Sequence, residues 1–137
     1  MDEELIKVTP DKLKAKSMVK MAEITLNMIK EIDIARYSSN ITKEYYEIIR
    51  ELMTVILLLD GYKTYGEGAH KKLIEYIKMN CTQFTDYELS LIDDLRIVRN
   101  KIAYDGFFVE ISYIEGKLKD ILAVIKKLKA IIQKKLG

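Results

Sequence analysis

Between Ile111 and Ile132 the residues Ile111, Ile114, Leu118, Ile121, Ile125, Leu128 and Ile132 recur at alternating spacings of three and four. That rhythm lays a continuous apolar seam along one side of an α-helix and is incompatible with a strand, whose side chains alternate with a period of two. Leu122, Val124 and Ile131 widen the seam beyond what a two-stranded coiled coil uses. A helix over about 110–135 is therefore expected to pack into a bundle, with pairing to a second chain as an addition.

The same period runs upstream. Thr9 and Pro10 suit an N-cap and a first turn, predicting a helix from about 10 to 34. Met18, Met21, Ala22, Ile24, Met28, Ile29 and Ile32 follow helical spacing, and the methionines read as flexible core filling rather than a binding surface. Tyr37-Ser38-Ser39-Asn40 breaks the pattern and offers caps for a second helix over 41–59, ended by Asp60-Gly61. Its run Leu52 to Leu59 is apolar on more than one face, which predicts a central helix. Three of the six glycines fall between Gly61 and Gly68 and predict a turn opening a short helix over 67–79. Thr85-Asp86-Tyr87-Glu88 is a capping box for a helix over 86–103. After Asp105-Gly106, Phe107 and Phe108 are expected to pack the turn down. The expected fold is all-α: an up-and-down bundle of about five helices forming one domain over 1–137.

Hydrophobic residues at 49% and charged residues at 32% place the chain among folded proteins rather than disordered ones. A net charge of +2 argues against a strongly basic nucleic-acid coat protein but leaves room for a local basic site. Cys81 is the only cysteine, so no internal disulfide can form, and a reducing, cytoplasmic setting is expected. The acidic opening Met1-Asp2-Glu3-Glu4 does not resemble a secretory signal, and the apolar run Val55–Leu59 is far short of the roughly 20 residues that span a bilayer. With one histidine and one cysteine the usual zinc ligands cannot be assembled, and no metal or cofactor is expected.

Chemistry concentrates between Leu95 and Gly106. Three of the four arginines follow an acid by three residues (Asp33–Arg36, Glu47–Arg50, Asp93–Arg96), the spacing of ordinary helical ion pairs. Arg99 has none, so its guanidinium needs a partner outside its own helix, with a phosphate or another chain as the candidates. Arg96, Arg99, Asn100 and Ala103 share one helix face beside the apolar face of Leu91, Ile92, Leu95, Val98 and Ile102. Two weaker features accompany this patch. The glycine-rich turn before residue 70 has neither P-loop nor dinucleotide spacing, and no strand is expected before it. His70 falls in the first turn of the short helix, where the helix dipole disfavours its protonation, and a tertiary hydrogen bond is its plainer role. From Lys117 to Lys135 seven lysines face Asp120 alone, which reads as a solvated face in preference to an RNA-tracking surface.

The stretch Arg99-Asn100-Lys101-Ile102-Ala103-Tyr104-Asp105-Gly106 resembles the signature of HEPN domains, and the resemblance extends over roughly residues 10–130, including Gly61–Thr64, Gly66–Ile74 and the Thr85 capping box. It implies a helical bundle that pairs as a homodimer with two motifs facing each other, metal-independent ribonuclease activity in active members, and a nucleotidyltransferase partner in toxin–antitoxin pairs. Arg99 matches the family's arginine and Asn100 its polar neighbour, whereas Tyr104 stands where the family has histidine. Imidazole titrates near pH 6.5 and serves as acid or base, but a phenol near pH 10 is a poor base at neutral pH. Three readings follow: a binding module for RNA, a nucleotide or a partner protein through Arg96, Arg99, Asn100 and His70; a ribonuclease using Arg99, Asn100 and Tyr104; and a purely structural interaction protein. His70 as a replacement base is a further option, needing a tertiary arrangement.

Overall fold

The computed structural model describes residues 5–137; the acidic opening Met1–Glu4 lies outside them. The architecture is the expected all-α bundle of five helices: α1 (Lys12–Lys30), α2 (Ser38–Asp60), α3 (Ala69–Asn80), α4 (Asp86–Asp105) and α5 (Ile111–Leu136). Two three-residue strands, β1 (Leu5–Lys7) and β2 (Tyr62–Thr64), pair antiparallel with Ile6 opposite Lys63. The strands are an addition to the expectation, and β2 leads into the glycine-rich turn where no strand was expected. Val8 N–H continues the pairing by donating to the Gly61 carbonyl at 2.9 Å. Gly61 adopts φ +89°, and a Cβ there would lie 3.2 Å from the Val8 carbonyl oxygen, so the end of α2 and the edge of the sheet both require glycine.

Helix α2 packs against each of the other four helices. Twelve of its residues are buried, and Tyr46, Ile49, Leu52, Met53, Ile56 and Leu57 are among the largest fully buried side chains in the core. Against it lies α5, whose seam residues Ile114, Ile121, Val124, Ile125, Leu128, Ile131 and Ile132 are buried within the chain's own core. The seam is thus consumed internally. The lysines of α5 are likewise partly engaged, with Lys127 on Glu88 at 2.6 Å, Lys129 on Glu23 at 3.0 Å and Lys135 on Asp60 at 2.6 Å.

The methionine stripe departs from the expectation. The buried residues of α1 are Ala15, Val19, Ala22 and Ile29, while Met21, Ile24 and Met28 are exposed and Met18 is half-buried. Small side chains allow α1 and α2 to approach closely, and docking through them rotates the methionines outward. The helix also starts and ends later and earlier than expected. Asp11, not Thr9, is the N-cap and accepts the Lys14 N–H at 3.0 Å, and the Asp33 carboxylate turns the chain after Lys30 by accepting the Ala35 N–H. Asp33 is therefore a turn residue rather than the partner of Arg36, whose guanidinium lies over the Tyr37 ring.

Ser38 and Ser39 serve a purpose other than capping. Ser38 Oγ donates to the Val109 carbonyl at 2.6 Å, and Val109 N–H donates to Ser39 Oγ at 2.7 Å. This two-serine clasp fastens the α4–α5 connection to the start of α2, with Val109 buried. Phe107 and Phe108 do not pack the turn down, as Phe108 is 85% exposed.

The capping box at Thr85 forms as expected, Thr85 Oγ1 accepting the Glu88 N–H and Glu88 Oε1 accepting the Thr85 N–H. Burial opposes ionisation of Glu88, but Lys127 and the Thr85 donors outweigh it and hold the carboxyl below its usual pKa. Replacing Thr85 by Ala is expected to lower the unfolding free energy by about 1 kcal/mol, measured by urea denaturation at neutral pH.

Candidate functional site

A cavity of about 490 Å³ opens between the start of α3 and the second half of α4. On one side lie Gly66, Glu67, Gly68, Ala69, His70 and Lys71; on the other lie Arg96, Arg99, Asn100 and Tyr104. Gly66 and Gly68 take φ +83° and +85°, which bends the chain so that α3 begins at the cavity wall with its first backbone N–H groups at that end. The start of a helix carries partial positive charge, so the wall and the arginines present the same sign to the space between them. All five residues singled out in the sequence, His70, Arg96, Arg99, Asn100 and Tyr104, line this one cavity.

The partner of Arg99 is within the chain. Its Nε stands 2.9 Å from Oε1 of Glu47 on α2, so the expectation of a phosphate or a second chain as the required partner is corrected. The two atoms meet as an ion pair without the alignment of a hydrogen bond, and each keeps unused hydrogen-bonding capacity. Glu47 also accepts from Arg50 through Oε2, at 3.1 Å from Nη2 and 3.2 Å from Nε. One carboxylate therefore bridges two guanidinium groups from different helices. Arg99 Nη1 donates to Asn100 Oδ1 at 3.3 Å, and Arg96 is held by Asp93 at 2.8 Å. Every arginine at the site is fixed by an anion, which orients its remaining N–H groups.

Tyr104 is 76% exposed, with the Arg99 guanidinium carbon 5.9 Å from its ring centre. It stands at the mouth of the cavity as an aromatic surface. Behind the cavity, Tyr46 is fully buried with its ring 6.0 Å from that of His70, and its hydroxyl has no hydrogen-bond partner among the described residues. Burial pushes this phenol up to about 12, with Glu47 adding to the rise and Arg50, Arg96 and Arg99 opposing it. Burial also lowers the pKa of His70, reinforced by the positive charges of Arg50, Arg99 and Arg96 and opposed by Glu47. His70 is thus a neutral imidazole at pH 7, able to accept a proton or a hydrogen bond.

Tyr46, Glu47 and Arg50 are part of this constellation although the chain pattern marked only the helical pair Glu47–Arg50. The signal for more was present: a carboxylate and an arginine in the most apolar helix, and an arginine elsewhere without an acid. Only the tertiary packing of α2 on α4 joins them. Among the described residues no group of three or more His, Cys, Asp or Glu side chains is arranged to hold a metal ion.

Two measurements check this electrostatic layout. In an NMR titration His70 is expected to show a pKa below 6.5, rising toward it in Arg99→Gln because one repelling charge is gone. Since its folded-state pKa is depressed, stability is full above pH 6.5 and falls as pH drops through the folded value; His70→Gln is expected to flatten that part of the stability profile. Tyr46→Phe removes an unsatisfied buried hydroxyl and is expected to raise stability by on the order of 1 kcal/mol, read by thermal or urea unfolding.

No family model, curated protein or solved structure matches the chain, so a role for this cavity rests on its own residues and their chemistry.

Proposed function

We propose that the chain is a HEPN-like binding module, working as a homodimer, that takes a phosphate-bearing ligand, RNA or a nucleotide, in the cavity between α3 and α4. The observation that carries the reading is the convergence of Arg96, Arg99, Lys71, Asn100 and the start of α3 on one space. Guanidinium groups offer paired donors in a fixed fork, and helix N-termini offer backbone N–H groups, the two commonest devices for holding phosphate oxygens. The exposed Tyr104 ring beside them suits stacking by a base. A nucleotidyltransferase protein as a further partner, in the manner of a toxin–antitoxin pair, belongs to the same reading and rests on the resemblance of Arg99–Gly106 alone.

Arg99→Ala is expected to weaken binding of a single-stranded RNA or a nucleotide by about tenfold or more, the size of a lost charged hydrogen bond of roughly 1.5–3 kcal/mol. Isothermal titration at two salt concentrations checks it. Unchanged affinity and unchanged salt dependence would remove the cavity from consideration.

A second reading is favoured by one observation, the neutral imidazole of His70 on the arginine-lined wall. In that reading the chain cleaves RNA without metal. His70 takes the proton from a ribose 2′-OH as that oxygen attacks phosphorus, Arg99 and Asn100 hold the phosphate oxygens, and the phenol of Tyr104 gives its proton to the departing 5′ oxygen. Cleavage of a mixed RNA pool in EDTA, lost in both His70→Gln and Arg99→Ala, is the expected result. Tyr104→His tests the motif itself, since a large gain in rate would mean that the phenol limits the chemistry. RNA left intact by the wild type and by Tyr104→His leaves the binding module alone.

A further inference from the structure

The first turn of α3 leaves two backbone donors over. Ala69 N–H donates to the Gly66 carbonyl at 3.2 Å and Lys72 N–H to the Gly68 carbonyl at 3.0 Å. Between them, the N–H groups of His70 and Lys71 have no backbone acceptor among the described residues, and both residues line the cavity. Unused N–H groups at the start of a helix are a preferred seat for phosphate oxygens. Arg96, Arg99 and Asn100 line the other wall. Asp93 and Glu47 meet the two guanidinium groups at Nε, so most of the terminal N–H groups stay available to a ligand. Glu67, the only carboxylate among the lining residues, is exposed in the glycine turn.

The inner side of the cavity is closed by Tyr46, fully buried beside the half-buried His70. The phenol shares the charged neighbours of His70, namely Glu47, Arg50, Arg96 and Arg99, and yet its hydroxyl has no hydrogen-bond partner among the described residues. A buried hydroxyl without an acceptor lowers stability, and a phenylalanine ring would fill the same space without that cost. At the back of a cavity walled by arginines, the acceptor that suits this donor is an oxygen of the ligand. The closed floor also limits what the ligand can be. No chain passes through Tyr46, so an anion at this depth is joined to the rest of its molecule on one side alone, toward Tyr104 at the mouth. An internal phosphodiester has chain leaving on both sides, whereas a phosphomonoester leaves on one and offers an additional free oxygen. The α3 turn, the α4 arginines and the floor give each of its oxygens a donor.

We propose that the cavity takes a terminal phosphate, the phosphomonoester of a nucleotide or of an RNA end. Its oxygens lie on the His70 and Lys71 N–H groups, on Arg99, and on the Tyr46 hydroxyl once the His70 ring swings aside. This narrows the ligand of the phosphate-binding reading above and rests on that reading. Tyr46 is then a specificity-determining residue that lowers the stability of the free chain and strengthens its complex.

Calorimetric titration and thermal melts of the intact chain test the proposal. The probes are 5′-AMP, adenosine, and one short oligoribonucleotide carrying a 5′-phosphate, a 3′-phosphate or neither. A probe with an end phosphate is expected to bind at least about tenfold more tightly than its counterpart without one, the size of a charged hydrogen bond. AMP binding as tightly as the oligomers identifies a nucleotide site, and a phosphorylated oligomer that outcompetes AMP identifies an RNA end; both support the proposal. Without ligand, Tyr46→Phe is expected to melt above the wild type. With the tightest phosphorylated probe it is expected to lose about tenfold in affinity and to gain less in melting temperature than the wild type does. A residue serving packing alone would not move the two readouts in opposite directions. Oligomers that bind equally with and without an end phosphate overturn the proposal and leave the phosphate-binding reading standing, provided that Arg99→Ala weakens them all. A preference for the end phosphate that Tyr46→Phe leaves intact overturns the part given to Tyr46. Probes that do not bind, or that bind indifferently to Arg99→Ala, remove the underlying reading together with the proposal.

Discussion

Everything in this fold depends on the burial of α2. A helix enclosed by four others has almost no surface on which to place charge, so its few polar side chains collect in one narrow strip, where Lys43, Glu44, Glu47, Arg50 and Glu51 are only half-buried. A carboxylate in such a strip is costly unless it is paired. Glu47 is satisfied by Arg50 from its own helix and Arg99 from the next. The same contact that makes the central helix tolerable holds the arginine that faces the cavity, so one residue serves both the packing of α2 and the layout of the cavity.

That double use also explains the electrostatics around His70. Burial is the main cause of the lowered pKa of His70; the three nearby arginines add to it by repelling the proton, and Glu47 offsets part of their field. The imidazole is left as the group in the cavity whose ordinary titration range is nearest neutrality, in a chain whose motif position carries a phenol. A phosphate entering the cavity would bring negative charge toward the imidazole and reverse the sign of the local field.

The sequence made the helices legible because their apolar period is strong, above all in Ile111–Ile132, and the capping box at Thr85 could be read from three residues. It also gathered His70, Arg96, Arg99, Asn100 and Tyr104 as candidates, and they line one cavity. What could not be read were choices made by packing. The periodicity of α1 fits either the methionine side or the alanine side facing inward, and the closeness of α1 to α2 selects the alanines. Strands of three residues carry too little pattern to be seen, and Glu47 looks in sequence like an ordinary helical pair with Arg50. The pairing of Glu47 with Arg99 spans 52 positions and belongs to tertiary structure alone.

The clasp of Ser38 and Ser39 on Val109 carries a mechanical consequence. It closes a ring in which α2, the Glu47–Arg99 bridge, the last turns of α4 and the buried Val109 return to the first turn of α2. A ring tied at both ends shears poorly, so the end of α4 is braced against its neighbour like a strut. The α4 wall of the cavity is therefore set when the chain folds, and a ligand held against it would not have to order that wall.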